Sequence, residues 1–160
     1  MISLEVISYL NNDSILSALL GATIDDTKIY PLQAPHGSEQ PYIVFNVPSN
    51  GTIEENIKEI SISLDCIADD YITAENIRNR VSILLDRQDT IRKYITSVMY
   101  KYFWSKRVGG AEFKDSDINL YHRASIFDFK YAILPEPEYL LTEDGDYLIT
   151  EDGNKIILEP

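Results

Sequence analysis

The sequence is poor in the residues from which most catalytic and metal sites are built. Its 160 residues include one cysteine, Cys66, and two histidines, His36 and His122. A single cysteine forms no internal disulfide, which excludes the disulfide-stapled class of exported proteins. One cysteine and two distant histidines also cannot supply a zinc site. The Gly-x-Ser-x-Gly elbow, the GxGxxG motif and the P-loop pattern are all missing, so the common signatures of hydrolases and nucleotide-binding proteins are absent.

Basic charge and long apolar runs are also scarce. Fourteen Lys and Arg stand against 26 Asp and Glu, a net charge of −12. This argues against a general nucleic-acid binder, because such proteins neutralise phosphates with basic residues. No apolar run approaches the roughly 20 residues of a membrane span. The N-terminus lacks a basic start and carries Glu5, so we expect no signal peptide. The composition is that of a soluble globular protein with one main domain.

The clearest pattern runs from Glu59 to Asp86, where a period of two changes into a helical period. The first part alternates apolar and polar residues, which is typical of a half-buried strand. Its predicted inward residues are Ile60, Ile62, Leu64 and Cys66. The second part carries one apolar helical stripe, with Thr73 as the predicted N-cap. The stripe consists of Ile77, Val81, Leu84 and Leu85. The two parts predict a two-layer strand–helix unit.

The other elements before residue 97 follow from periodicity and turn residues. Residues 3–20 predict two short helices or one bent helix, with Ser3 as a cap, a break at 11–13 and Gly21 after the last turn. A short strand is expected at 28–32, where Pro31 indicates a sheet edge. An interior strand is expected at 42–47, followed by a flexible connection at 48–56. Residues 87–96 leave helix and irregular structure open.

Residues 97–108 and 120–134 predict an antiparallel hairpin rich in aromatic residues. The segment between them, GGAEFKDSDIN at 109–119, is predicted to be an acidic loop. Tyr100, Tyr102 and Trp104 are expected on one face of the first strand. On the second strand the expected shared face holds Tyr121, Arg123, Phe127, Phe129, Tyr131 and Ile133.

These aromatic residues have two interpretations. They could stack single-stranded bases, aided by nearby basic residues. Core packing or a subunit interface is favoured, because aromatic strands are enriched in both. The predicted interface residues are Tyr100, Tyr102, Trp104, Phe127 and Phe129.

After Pro135-Glu136-Pro137 the chain contains a repeat of period eight. YLLTEDGD at 139–146 is followed by YLITEDGN at 147–154 and then KIILEP. The Asp-Gly pairs at 144–145 and 152–153 are strong hairpin signals and predict a three-strand β-meander. Three such strands are too few to be stable alone, so they must pack on the body or on a neighbour. The acidic repeat lacks the ligand ladder of an EF-hand, and we expect no bound metal.

Few side chains qualify as catalytic candidates. His36 lies in a predicted loop and is expected to be solvated. Paired carboxylates could support glycoside hydrolysis, and the candidates by type are Asp69, Asp70, Asp115 and Asp117. Acids in loops are usually solvated, and Cys66 is expected to be a small core residue. The sequence therefore predicts no catalytic, cofactor-binding or metal-binding residue and no enzyme activity.

The order of elements resembles the tail-terminator (tail-completion) proteins of long-tailed bacteriophages. The resemblance covers roughly residues 3–134. It rests on LEVISYLNNDSILSALLG, KIYPLQAP followed by PYIVFNV, SISLDCIAD running into TAENIRNRVSILLD, and YHRASIFDFKYAI preceded by DSDIN. It implies an α+β fold with a mixed or antiparallel sheet, packed on one face by two or three helices. The predicted domains are a tail-terminator-like body at 1–134 and an acidic β-meander extension at 135–160, which departs from the family pattern.

The resemblance also implies a function. Such proteins form a ring, for which six copies are expected. The ring stops growth of the tail tube and joins the tail to the head connector. The implied partners are further copies of the chain, the tail-tube protein and the connector protein, while DNA passes through the lumen without specific binding. The expected location is the virion, after assembly in the host cytoplasm and without a membrane. The alternative from another class is a small acidic protein-binding adaptor module.

Overall fold

The computed structural model of the protein describes residues 2–23, 26–52, 57–88, 90–95, 97 and 99–134. Within these residues the chain forms three α-helices, five β-strands and a short 3₁₀ helix. In chain order the elements are α1 (Ile2–Asn11), α2 (Ser14–Leu20), β1 (Ile29–Pro31), β2 (Tyr42–Thr52), β3 (Lys58–Ala68), α3 (Tyr71–Leu85), the 3₁₀ helix (Ile91–Lys93), β4 (Tyr100–Asp115) and β5 (Leu120–Ile133).

The five strands form one open, mixed sheet in the order β1-β2-β3-β5-β4. β1 runs parallel to β2, and every other neighbouring pair is antiparallel. The prediction that Pro31 marks an edge is confirmed, because β1 has a single neighbour. β2 is an interior strand, as predicted, and β4 forms the opposite edge of the sheet.

The central strand–helix unit folds as its periodicity predicts. The inward residues of β3 are buried, and α3 packs against β3 and β5. The predicted stripe of α3 is 0 to 5% exposed and consists of Ile77, Val81, Leu84 and Leu85. Burying each apolar side chain of this size away from water stabilises the folded state by roughly 1.5–3 kcal/mol. α2 contacts α3, and α1 adds Val6 and Leu10 to the same core.

Two predicted helix caps are wrong. The N-cap of α3 is Asp70, whose Oδ1 accepts a hydrogen bond from the backbone N–H of Thr73 at 2.9 Å. Thr73 lies within the first turn, because the Asp70 carboxylate three residues earlier already satisfies that N–H and interacts favourably with the helix dipole. Ser3 lies inside α1 and is 2% exposed, so it packs in the core.

The break and the stop predicted for the first helical region are confirmed. Asp13 caps α2, with its Oδ1 accepting from the Leu16 N–H at 2.7 Å. The same carboxylate pairs with Arg80 of α3 at 2.6 Å, which lowers the pKa of Asp13. Gly21 ends α2 with φ 59°, a left-handed conformation that glycine adopts without steric cost.

β2 and β4 are both longer than predicted. β2 continues to Thr52 through an irregularity between Asn46 and Ser49, so most of the predicted flexible connection is strand. The predicted acidic loop at 109–119 is wrong over most of its length, because residues 109–115 belong to β4 and pair with β5. The turn is confined to residues 116–119.

A bulge in β4 changes which residues face the core. Tyr102 pairs with Tyr131 and is 2% exposed, whereas Trp104 pairs with Lys130. The inward position after the bulge belongs to Ser105, whose Oγ donates to the Leu85 carbonyl. The prediction that Tyr102 and Trp104 share a face is therefore wrong, since one extra residue reverses the alternation that follows.

The architecture is the α+β fold that was predicted, with a mixed sheet and three helices. The residues predicted to share a face of β5 are buried at Arg123, Phe127, Phe129 and Tyr131, while Ile133 is 50% exposed. The residues left ambiguous at 87–96 include the 3₁₀ helix, and Ile91 and Ile95 enter the core. The predicted meander and second domain, residues 135–160, lie outside the described residues.

Candidate assembly surface

One face of the sheet carries the hydrophobic core, and the other is left uncovered by helices in the described part of the chain. We call this second surface the open face. At one end of this face Ile67 and Leu120 are only 5% exposed. Its other side chains are half-buried or exposed, in contrast to the buried residues that alternate with them. They are Ser61, Ser63, Asp65, Trp104, Lys106, Phe113, His122, Ala124, Ile126, Asp128 and Lys130. A broad sheet surface of this kind suits contact with another protein better than it suits a small ligand.

Asp65 and His122 form the best-defined polar pair on the open face. The Nδ1 of His122 lies 2.7 Å from the Oδ2 of Asp65. The ring of Phe113 stacks on the imidazole with a centroid distance of 4.3 Å. A carboxylate–imidazole pair is two-thirds of a nucleophilic triad. However, the buried Nε2 of His122 has no hydrogen-bond partner among the described residues, so no hydroxyl or thiol there is poised for activation.

Two further links cross the strands of the open face. The Ser61 Oγ donates to the Asp128 Oδ1 at 2.6 Å and joins β3 to β5. The Lys130 ammonium lies 4.9 Å from the ring centroid of Trp104 and joins β5 to β4. Side chains held by such contacts lose less conformational freedom when a partner binds. The open face is therefore ordered before any association.

The predicted interface residues divide into two groups. Phe127 and Phe129 are 0% exposed and Tyr102 is 2% exposed, so their side chains pack inside this chain. Tyr100 and Trp104 remain partly accessible. The interpretation that the aromatic strands stack nucleic-acid bases is wrong for the buried members, because a base cannot reach them. A role of the set in a subunit interface stays a prediction, and Tyr100 and Trp104 are the members that a second chain can contact directly.

Exposed apolar residues lie in the end of the hairpin, most of which was assigned to a loop from the sequence. We call residues 108–124 the distal hairpin. Val108 is 50% exposed, Phe113 54% and Ile118 61%. The available signal was the Gly109-Gly110 pair, which interrupts a strand pattern and often marks a bulge where the strand continues. Because such a pair is also typical of loops, a loop was predicted from Gly109 onwards and this exposed surface was not.

Arg123 ties the distal hairpin to α3. Its side chain is 6% exposed and pairs with the Oε2 of Glu75 at 2.9 Å. The guanidinium also contacts Glu112 and the Tyr71 hydroxyl, and it lies 4.2 Å from the Tyr71 ring centroid. Hydrogen bonds from Arg78 and the nearby guanidinium of Arg123 lower the pKa of Glu75. The cluster compensates a buried cation that would otherwise be costly.

The acidic residues considered as catalytic candidates have structural contacts. Asp70 caps α3, and the hydrogen bond from Thr73 lowers its pKa. The Oδ1 of Asp115 accepts from the backbone N–H groups of Asp117 and Ile118 at 2.9 and 3.4 Å, which closes the hairpin turn. Asp69 is exposed next to Asp70. These contacts stabilise chain turns and do not create a pair of catalytic carboxylates.

The remaining candidates do not assemble into a reactive centre. Cys66 is fully buried, and burial raises the pKa of its thiol, which is the opposite of what a nucleophile needs. His36 lines an open groove of about 630 Å³ that also includes Tyr42 and Asp65. Across the described ranges there is no group of three or more His, Cys, Asp or Glu side chains arranged to hold a metal ion.

None of the helices in the described ranges is long and apolar enough to span a bilayer. No protein-family model and no curated protein matches the sequence. Among solved structures, the chain is similar to one in the virion of the native gene transfer agent (GTA) particle, with a TM-score of 0.60 and 16% sequence identity. The match covers 79% of this chain and 91% of that chain. At this identity the similarity establishes a shared fold.

Proposed function

We propose that the protein is a structural virion protein that forms a ring, caps the tail tube and joins the tail to the head connector. The observation that carries this proposal is the fold shared with a chain of a gene transfer agent virion, over 91% of that chain. The order of elements, which resembles tail-terminator proteins, supports the same role. The protein would act by its shape, without catalysis or a cofactor, in the virion and in the host cytoplasm during assembly.

The open face is the proposed contact surface between copies. A ring requires a heterologous interface that closes, in which one patch of each subunit meets a different patch of the next. The open face is held in part by contacts between its own side chains, and Trp104 contributes the kind of partly exposed aromatic side chain that anchors protein interfaces. The buried aromatic side chains on the other face of β4 and β5 keep these strands in place. The resemblance implies six copies in the ring.

Termination then follows from the two ends of the ring. One end continues the symmetry of the last tail-tube ring, and the other presents a different surface to the connector, so no further tube subunit can add. DNA passes through such a ring, and the net charge of −12 disfavours adhesion to phosphates. The rival function, an acidic adaptor module, needs only a monomer and one partner.

Imaging of assembled particles tests the proposal. Ile126→Arg places a charge on the open face, whereas Ile83→Arg makes the same change at a 56% exposed position of α3. We expect the wild-type chain as a complete ring between tube and connector. Ile126→Arg should lose the ring and leave tails unjoined, while Ile83→Arg should assemble normally. A single copy at the neck, or a location on the outer tail surface, would contradict the ring and favour an adaptor.

A further inference from the structure

The edge strand β4 carries basic residues that have no ion-pair partner in the described part of the chain. Lys101, Lys106 and Lys114 are exposed, and Arg107 is partly exposed. The cations that do form ion pairs there are Arg78, Arg80, His122 and Arg123. In a protein with nearly twice as many acids as bases, four unneutralised cations on one edge strand mark a surface suited to an anionic partner.

Charge is distributed unevenly along the chain. Residues 87–134 contain nine Lys and Arg and five Asp and Glu, a net charge of +4. Residues 135–160, which we call the acidic segment, contain one Lys and eight Asp and Glu, a net charge of −7. The most basic and the most acidic stretches are therefore consecutive. Opposite charges in such proximity attract at low ionic strength.

The outer edge of β4 is available for another strand beyond Arg107, whose own backbone N–H donates to the Oδ1 of Asp86 at 3.3 Å. Near its middle, the Arg87 N–H donates to the Ser105 carbonyl at 3.1 Å. From Val108 to Lys114, the backbone pairs only with β5 among the residues that the structure describes. Val108 and Phe113 are also half-exposed there. An unpaired edge with exposed apolar side chains is a template for strand addition.

The chain leaves the sheet beside this edge. The Leu134 N–H donates to the Met99 carbonyl at 2.8 Å, so the end of β5 lies beside the beginning of β4. A 16-residue strand spans about 53 Å at 3.3 Å per residue. The 26 residues that follow Leu134 reach up to about 86 Å when extended. The acidic segment is long enough to run along the whole of β4.

The repeat carries acidic and apolar residues that complement the basic and apolar residues of the β4 edge. Each copy joins an apolar triplet, at 139–141 and 147–149, to an acidic pair, at 143–144 and 151–152. We propose that the acidic segment binds the outer edge of β4 in its own chain as an added strand, with carboxylates against Lys106, Arg107 and Lys114. Tethering favours this contact, because a linked segment has a high effective concentration at a nearby site.

This inference goes beyond the proposed function, because it concerns contacts within a single subunit. It gives the repeat a role, which is to cover an edge that would otherwise pair with other chains. The basic residues alternate between the two faces of β4, so they flank an added strand on both sides. The contact should therefore weaken as salt screens the charges.

Zero-length carbodiimide crosslinking of the full chain tests the proposal. Equal amounts of unlabelled and ¹⁵N-labelled protein are mixed, crosslinked and digested, and the linked peptides are identified by mass. We expect links from Lys106 or Lys114 to the acidic pairs, within one isotopic form and reduced at high salt. Links between the two isotopic forms would show that the occupant belongs to a second copy. The absence of these links would show that the edge does not bind the segment, and either result overturns the proposal.

Charge reversal with hydrogen exchange provides the second test. We expect Lys106→Glu with Arg107→Glu to reduce the protection of the amides at 108–114 by about tenfold. Adding Glu143→Lys and Asp144→Lys should restore it. The control, Lys28→Glu with Lys58→Glu, makes the same charge change outside β4 and should leave these amides unchanged. Exchange at Tyr102 reports whether each variant is folded. Equal protection in the reversed variant and the wild type, with the core intact, would overturn the proposal.

Discussion

The two halves of the β4–β5 hairpin are held in place by different interactions. The half that contains Tyr102, Phe127 and Phe129 packs on the helices, and these three side chains are at most 2% exposed. The distal hairpin exposes Val108 and Phe113 and is tied to α3 by the ion pairs of Arg123. Apolar burial depends little on pH, whereas carboxylate–guanidinium pairs depend on both pH and salt.

The difference shows that aromatic content alone does not mark an interface. The hairpin buries Tyr102, Phe127, Phe129 and Tyr131 in the core of its own chain, where they fix the strands, and leaves its other aromatic side chains partly or fully exposed. Its exposed half combines a few apolar residues with charged ones, which is closer to the composition of an interface rim. The buried half therefore supplies a rigid platform, and the distal half supplies the accessible edge.

The largest expected difference is between Phe127→Ala and Phe113→Ala. Both changes remove a phenyl ring from the same hairpin, but Phe127 is 0% exposed and Phe113 is 54% exposed. We expect Phe127→Ala to lower the free energy of unfolding by about 3–5 kcal/mol, because it leaves a cavity. Phe113→Ala should cost less than about 1 kcal/mol. Urea denaturation measures both, and similar losses would show that the distal half belongs to the core.

A smaller effect is expected at Gly110. A Cβ built at this position would lie 2.4 Å from the carbonyl oxygen of Ala124, which is backbone and cannot move aside. We expect Gly110→Ala to separate β4 from β5 locally and to lower the free energy of unfolding by roughly 1–3 kcal/mol. Amide exchange should increase mainly in the distal hairpin, and calorimetry or urea denaturation gives the total loss.

Gly109 provides the matched control for this change. Its added Cβ would meet only the Ile126 side chain at 3.8 Å, an ordinary contact. Gly109→Ala should therefore stay within about 0.5 kcal/mol of the wild type. If both alanine variants were equally stable, the close approach at Gly110 would have relaxed and the pairing of the distal strands would be tolerant of side chains.

The same contrast explains which parts of the fold could be predicted from the sequence. Strand β3 and helix α3 have strict periodicities because each packs one face on a single core, and the stripe through Val81 and Leu84 was predicted correctly. The two β4 bulges leave no comparable periodic pattern in the sequence. Each inserts one residue and so moves the side chains that follow it to the opposite face of the sheet. This is why Trp104 was predicted to share a face with Tyr102, whereas Ser105 takes the inward position after the bulge.

The candidate surface could be predicted only in part. The polar alternation of Ser61, Ser63 and Asp65 indicated an uncovered side of β3. The pairing of Asp65 with His122, and of Glu75 with Arg123, joins residues that are far apart in the sequence and depends on strand register. The length of β4 was missed because Gly-Gly followed by charged residues is also typical of loops. The net charge of the acidic segment could be read from the sequence, because counting charges requires no knowledge of strand register.

The smallest expected effect concerns Glu75, whose ionisation makes the stability of the distal hairpin depend on pH. Its pKa is lowered from an ordinary value of 4.5, first by the hydrogen bond from Arg78 and also by the charge of Arg123. A carboxyl group with a lowered folded pKa contributes stability above its unfolded pKa and loses it as the pH falls through the folded value. Glu75→Gln should therefore cost about 1 kcal/mol at neutral pH, and the difference from the wild type should vanish in acid.

The loss of stability in acid should be confined to the distal hairpin and should spare the buried half. As the pH falls, protection factors, which are corrected for the intrinsic pH dependence of exchange, should decrease first in the distal hairpin, because Glu75 holds Arg123 there. The amides beside Phe127 and Phe129 should stay protected until global unfolding. Asp69→Asn removes an exposed carboxylate six residues away and should leave both the pH profile and the exchange pattern unchanged. If the two halves opened together as the pH fell, the hairpin would be one cooperative unit and the ion pairs of Arg123 would not control its distal part separately.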